Sequence, residues 1–171
     1  MRLSVLLLLL CLDFSAEAAT TFDVTLTGRQ TRIDVWAPAQ PTRNAVVLVH
    51  GFMRTRATMA GHAQALAQNG VLAAAPDMPY WSDSRENARA LVELVALLRR
   101  GEIAGPMDRV VLVGFSAGAL ASILAASAPG VVGYGGLDAF DRHGGVGLEA
   151  ARRLPVPSKL LRAPPSFGNA Y

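Results

Sequence analysis

The amino-acid sequence predicts an α/β protein with a doubly wound, mostly parallel sheet and an N-terminal antiparallel hairpin at one edge. Short apolar runs at 45–49, 71–75 and 110–113 alternate with segments whose apolar residues have helical spacing. Two segments before residue 37 instead alternate apolar and polar residues, which is typical of strands with one solvated face. A chain of 171 residues is long enough for one domain with a hydrophobic core.

Residues 1–18 predict a secretory signal peptide. Arg2 supplies a positive start, residues 3–12 are almost all apolar, and Ala16-Glu17-Ala18 fits a cleavage site of small residues. About ten apolar residues are too few to span a bilayer, which needs roughly 20. We therefore expect a secreted or periplasmic domain at residues 19–171, with no stable membrane anchor after cleavage and without the single cysteine, Cys11.

The composition of the remaining chain argues against several classes of protein. Removal of residues 1–18 leaves 15 basic and 11 acidic residues, a net charge of +4 that is dispersed and contains no basic run. We therefore expect no nucleic-acid partner. No thiolate cluster, phosphate-binding glycine loop or dinucleotide fingerprint occurs, so we expect no metal and no cofactor. The sequence leaves the oligomeric state open.

The first half of the chain predicts a hairpin followed by alternating strands and helices. Residues 22–26 and 32–36 form the expected hairpin, joined by Thr27-Gly28-Arg29-Gln30-Thr31. The apolar run 45–49 predicts a buried strand that ends at His50-Gly51-Phe52. A helix is expected from about residue 58 to 68, where Asn69-Gly70 ends it, and 71–75 predicts the next buried strand.

The second half continues this alternation. Residues 84–100 place apolar side chains on one stripe of a helix, and the run 110–113 predicts another buried strand. The last expected elements are a helix at 117–128, a glycine-rich strand at 131–137, a loop or short helix within 144–153, and a weak edge strand at 158–162.

One motif joins a predicted strand to a predicted helix. Gly114-Phe115-Ser116-Ala117-Gly118 follows the apolar run and precedes the Ala- and Leu-rich helix. A serine at the apex of such a sharp turn is typical of a nucleophile elbow. The two glycines have a steric reason, because side chains there would crowd the neighbouring strand and helix.

Polar residues recur where predicted strands end. His50, Asp77, Ser116 and Asp138 each directly follow an apolar run. In doubly wound sheets the functional residues lie beyond the carboxyl ends of the strands. The sequence therefore predicts that these four residues meet at one edge of the sheet.

On these motifs the chain resembles the α/β-hydrolase superfamily from Asp23 to about Arg162. The residues that carry the resemblance are His50-Gly51-Phe52, the Gly114 to Gly118 motif, and Gly136-Leu137-Asp138-Ala139-Phe140-Asp141. It is most similar to secreted bacterial lipases and esterases, in the branch that includes dienelactone-hydrolase-like, chlorophyllase-like and acetylhydrolase-like proteins. The resemblance implies a serine hydrolase that acts on small-molecule carboxylic esters through an acyl-enzyme at Ser116.

The resemblance also implies roles for other residues. The oxyanion hole would come from the backbone N–H groups of Phe52 and Ala117, while His50 would shape its loop. Many relatives place the acid after the seventh strand, but residues 150–171 contain no Asp or Glu. Asp138 is therefore the expected acid, with Asp141 as the alternative. Asp77 is expected to close the turn after its strand.

The catalytic histidine is the part of the triad that this sequence does not supply in the usual place. The superfamily order is Ser, acid, His, and the sequence contains only His50, His62 and His143. His62 falls in a predicted helix, and His143 follows Asp138 by five residues. The expectation is a C-terminally truncated hydrolase chain; the alternative is a non-catalytic or nearly inactive α/β-hydrolase-fold fragment or binding module.

Overall fold

A computed structural model describes residues 18–141 and 144–164 of the chain, which include seven strands. In chain order they are β1 (Thr20–Leu26), β2 (Arg29–Trp36), β3 (Asn44–Val49), β4 (Leu72–Pro76), β5 (Arg109–Phe115), β6 (Val131–Leu137) and β7 (Ser158–Leu161). All seven belong to one sheet with the order β1-β2-β4-β3-β5-β6-β7. Strands β4, β3, β5, β6 and β7 run parallel, whereas β1 and β2 run antiparallel at one edge, which confirms the predicted fold class.

Among the described residues, four α-helices flank this sheet. They are α1 (Ala60–Gln68), which follows a 3₁₀ turn at Arg56–Met59, α2 (Ser84–Arg100), α3 (Ala117–Ala125) and α4 (Val146–Arg152). In the part of the chain described, no helix combines the length and the apolar character that crossing a membrane requires.

The N-terminal hairpin has a tighter turn than the sequence predicted. Thr27 and Gly28 alone connect the strands, with φ angles of +49° and +75°. Two successive residues with positive φ form the type I′ turn, whose twist matches that of the flanking strands. Strand β2 therefore begins at Arg29, inside the expected five-residue loop.

The two faces of the sheet bury separate apolar clusters. Helices α2 and α3 cover one face, where Leu91, Leu94 and Ala121 pack with Val47 and Leu112. Helix α1 covers the other face over β2, β4 and β3, in a cluster of Trp36, Val46, Leu48, Met59, Ala63, Ala67, Ala73 and Ala75. The alternation of side chains along each strand supplies both faces, which explains why the central strands are apolar throughout.

Local signals set the helix ends. Asp83 begins α2 by accepting hydrogen bonds from the backbone N–H groups of Arg85 and Glu86, and Gly101, at φ +77°, ends it. Helix α3 ends at Ala125, three residues before the predicted end. Its last turn tightens into i to i+3 hydrogen bonds, such as Ala126 N–H to Ile123 C=O, ahead of Pro129.

We predict that Tyr134 makes the stability of the fold fall at high pH. Its buried hydroxyl donates to the Ala119 carbonyl at 3.1 Å, and burial raises the pKa of Tyr134 to about 12. In the unfolded chain a tyrosine ionises near pH 10. Between these values the unfolded state loses a proton that the native state keeps, so stability declines as pH rises.

Urea unfolding at pH 8 and pH 11 measures this decline. Tyr134→Phe removes the titrating group, so its unfolding free energy should fall less between the two pH values than that of the wild type. Tyr80→Phe is the matched control: it also removes a hydroxyl that donates to a backbone carbonyl but retains Tyr134. Equal declines in the wild type and Tyr134→Phe would contradict the assignment.

Candidate active site

Ser116 lies at the apex of the turn from β5 into α3. Its φ and ψ angles are +52° and −118°, a conformation that non-glycine residues seldom adopt and that stores backbone strain. Its N–H donates to the Leu137 carbonyl at 2.9 Å, and its carbonyl accepts from Ala119 N–H at 3.0 Å. These contacts hold the half-buried serine at the carboxyl edge of the sheet.

The glycines on either side of Ser116 permit this turn. A Cβ atom on Gly114 would overlap the backbone of Gly118 and Ala119, and one on Gly118 would overlap the carbonyls of Val49 and His50. The predicted steric reason for the two glycines is therefore confirmed. The backbones of β5, α3 and the end of β3 are in contact here and leave no room for a Cβ atom at either glycine.

Asp138 occupies the equivalent position on the neighbouring strand. Phe115 of β5 pairs with Leu137 of β6, so Ser116 and Asp138 each follow one member of the same pair. Asp138 has a φ of +48°, and its N–H donates to the Leu161 carbonyl at 2.7 Å. The structure therefore places the predicted nucleophile and the predicted acid on adjacent strands, and both have strained backbones.

Asp141, the alternative acid, has a different role. Its Oδ2 accepts hydrogen bonds from the backbone N–H groups of Gly147 and Leu148, at 2.8 and 3.1 Å. These are orphan donors in the first turn of α4, which a carboxylate satisfies well. Asp141 therefore caps α4, and Asp138 remains the predicted acid.

His50 and His62 are not placed as partners of Ser116. His50 Nε2 accepts from Met78 N–H at 3.1 Å, so its Nδ1 carries the proton and donates to the Gly51 carbonyl at 2.8 Å. Both ring nitrogens thus hold the loop together. His62 is exposed on α1, across the sheet from α2 and α3, and His143 lies outside the described residues.

The loop that carries Phe52 is also held by an ion cluster around Arg56. The backbone N–H of Arg56 donates to Asp77 Oδ1 at 2.9 Å, and its guanidinium contacts Asp77 Oδ2. Its Nε lies 2.8 Å from Oδ2 of Asp34 on β2. Contact with Asp34 above all raises the pKa of Arg56 from its ordinary value. Sequence reasoning missed Arg56, because nothing in the local pattern marks an arginine whose partners lie far along the chain.

A cavity of about 240 Å³ opens beside this loop and the start of α3. Phe52 and Ala117, the two predicted oxyanion residues, both line it. The ring of Phe52 meets that of Trp81 edge to face, with 5.5 Å between centroids. Within the residues described, no group of three or more His, Cys, Asp or Glu side chains could hold a metal ion. The structure therefore places Ser116 and Asp138 at the ends of adjacent strands, next to a cavity whose lining includes Phe52 and Ala117.

Comparisons with known proteins agree with this architecture. No protein-family model matches the sequence, and none of the curated proteins matches it. Solved structures do match it. Dienelactone hydrolase from Anabaena variabilis superposes with a TM-score of 0.69 at 17% identity, over 84% of this chain and 73% of that one. An alpha-beta serine hydrolase homologue from Coxiella burnetii gives 0.68 at 14% identity, with the same coverage of 84% and 73%.

Epoxide hydrolase A from Mycobacterium thermoresistibile gives a TM-score of 0.58 at 21% identity, over 70% of this chain. The chain spans only 39% of that enzyme's length. At these identities the likeness concerns the fold. The chain has the α/β-hydrolase fold, which confirms the fold that its motifs predicted.

We predict that removal of the Arg56 side chain loosens the Phe52 loop. Arg56→Met leaves the largely buried carboxylates of Asp34 and Asp77 without their cation, which should lower the unfolding free energy by about 2–3 kcal/mol. Hydrogen exchange should become faster at the amides of residues 51–55. Arg43→Met is the matched control: it breaks an exposed ion pair with Asp108 and should leave both quantities nearly unchanged. Equal effects of the two substitutions would refute this role for Arg56.

Proposed function

We propose that this protein is a serine hydrolase that acts on carboxylic esters through an acyl-enzyme at Ser116. The observation that carries the proposal is the strained Ser116 at the β5 to α3 turn, beside a cavity lined by Phe52 and Ala117. Known structures with this fold include a dienelactone hydrolase and a serine hydrolase homologue, which supports hydrolysis. We also propose that it acts outside the cytoplasm, because residues 1–18 have the composition of a signal peptide.

The proposed reaction has two stages. Ser116 Oγ attacks the ester carbonyl carbon while a histidine takes its proton, and the N–H groups of Phe52 and Ala117 donate to the developing oxyanion. The C–O bond then breaks, and the alcohol leaves with that proton. Water attacks the acyl-enzyme, gives a proton to the same base, and releases the carboxylic acid and free Ser116. Asp138 orients the base and stabilises its charged form.

His143 is the candidate base within this sequence. His50 uses both ring nitrogens in its own loop, and His62 lies across the sheet. The sequence places His143 five residues after Asp138, on the required side of the acid in chain order. Its contribution is therefore part of the proposal.

A second candidate is a binding module with the same fold and little or no catalysis. The observation that favours it is the engagement of His50 and the position of His62, which leave Ser116 without either of them as its base. Such a protein would keep the apolar cavity and bind ester-like ligands without turnover. Labelling of Ser116 distinguishes the two candidates.

A fluorophosphonate probe tests the nucleophile directly, because it reacts with an activated serine. We expect covalent labelling of the native protein, located at Ser116 by peptide mass spectrometry, and its loss in Ser116→Ala. Ser127→Ala, which changes an exposed serine beyond the end of α3, is the control and should label like the wild type. An unlabelled native protein would support the binding module instead.

Substitution of Asp138 and of Asp141 should change the rate of labelling by different amounts in the same assay. Asp138→Asn should lower the labelling rate by about 10³ to 10⁴, the cost of losing the residue that orients the base. Asp141→Asn should label at nearly the wild-type rate and lower stability by at most about 0.3–1 kcal/mol, because the amide oxygen still accepts the two hydrogen bonds and only the negative charge at the start of α4 is lost. The opposite pattern would make Asp141 the acid.

A further inference from the structure

The cavity beside Ser116 has a lining that points to the class of ester. We propose that it binds the acyl group of short-chain esters and that Trp81 sets the longest chain it accepts. This inference rests on the proposed function, because it assigns the cavity to the acyl part of the substrate.

The walls of the cavity come from three segments at the carboxyl edge of the sheet. One is the loop at 50–55, another runs from Met78 into the first turn of α2 at Asn87, and the third is the first half of α3, from Ala117 to Ala121. In the proposed mechanism the ester carbonyl lies by Phe52 and Ala117, and both of these residues line the cavity. The acyl chain is then the part of the ester that can extend inside.

The lining suits a hydrocarbon chain. Most of the lining surface is apolar, and Phe52, Met53, Met78 and Trp81 are its large apolar residues. Arg54 is the cation in the lining, its other polar residues include Tyr80 and Asn87, and no Asp or Glu lines it. The volume of about 240 Å³ lies below the roughly 300–1,000 Å³ of pockets for drug-sized ligands. A short aliphatic or small aromatic acyl group matches both properties.

Trp81 is held at the rim although it contributes little to the core. Its side chain is 72% exposed, whereas the other tryptophan, Trp36, is 4% exposed. The backbone next to Trp81 is firmly anchored. Asn87 accepts from Tyr80 N–H at 3.1 Å and donates to the Tyr80 carbonyl at 2.8 Å, and Arg29 stacks on the Tyr80 ring at 4.4 Å.

The Trp81 ring is too exposed for its burial to stabilise the fold, although the backbone beside it is anchored. We therefore assign the exposed ring a role in ligand contact. Opposite the rim, Gly118 and Ala121 line the cavity with small residues. The space available to a chain is therefore bounded by Trp81 at one side and by these small residues at the other.

Binding of alkyl methyl ketones, from butanone to dodecan-2-one, tests the proposal without hydrolysis. The full chain with Ser116→Ala is titrated by calorimetry, so that no covalent adduct contributes. Each added methylene that enters the cavity should strengthen binding about fourfold, from roughly 0.8 kcal/mol per buried methylene. The gain should stop once the chain fills the cavity.

Three further substitutions, each made in the Ser116→Ala protein, test which residues set the chain-length limit. Trp81→Ala removes one boundary of the cavity and should move the chain-length limit to longer ketones, with about a fourfold gain in affinity for each further methylene that becomes buried. Ala121→Leu fills the cavity and should move the limit to shorter chains. Leu148→Ala, an exposed apolar change on α4, is the control and should alter neither. If the Ala121→Leu protein does not fold, Trp81→Ala still tests the proposal, because the exposed side chain of Trp81 can be removed without disturbing the core.

A fluorescence measurement assigns the contact to Trp81. Ketone binding should shift the emission of a Trp36→Phe variant, in which Trp81 is the remaining tryptophan. Affinity that rises with chain length without limit, equally in all variants, would overturn the inference even if Ser116 is labelled. A chain-length limit without labelling would leave the cavity assignment standing and refute the proposed hydrolysis.

Discussion

The close approach of three backbones at Gly114 and Gly118 is the constraint on which the rest of the site depends. Strand β5, helix α3 and the end of β3 meet where any Cβ atom would overlap a backbone atom. This contact makes the chain turn sharply at Ser116, so the serine takes a positive φ and projects beyond the sheet. It also places the first N–H groups of α3 next to the loop that follows β3. The packing on both faces of the sheet therefore offsets the free-energy cost of the strained backbone at Ser116.

A second set of contacts holds the loop after β3 in place beside that turn. His50 binds the backbone of Met78, and Arg56 joins Asp77 to Asp34, so the loop is fixed to the end of β4 and to β2. Neither group needs to exchange protons to do this. At this edge the polar residues after β3 and β4 position the loop, whereas the proposed chemistry belongs to the residues after β5 and β6.

The cavity lies where these two sets of contacts meet. Its walls come partly from the loops that His50, Arg56 and Asn87 hold, and they include Ala117, the residue after Ser116. In the proposed hydrolysis, backbone N–H groups at this position would stabilise the developing oxyanion. The proposed hydrolase and the proposed binding module share this architecture, and they differ in whether a histidine reaches Ser116.

The sequence by itself determined the order of strands and helices along the chain and the hairpin, because these depend on local periodicity. It also determined the elbow around Ser116 and the position of Asp138 at the end of a strand, because these depend on the steric needs and types of adjacent residues. It did not reveal that Thr27-Gly28 alone makes the hairpin turn, that Asp141 caps α4, or that Arg56 joins Asp34 and Asp77. The turn is set by the register in which β1 pairs with β2, the cap joins Asp141 to the start of the following helix, and the Arg56 cluster joins residues distant in the chain. Only the tertiary structure decided them, because strand pairing and loop packing select partners that no local pattern encodes.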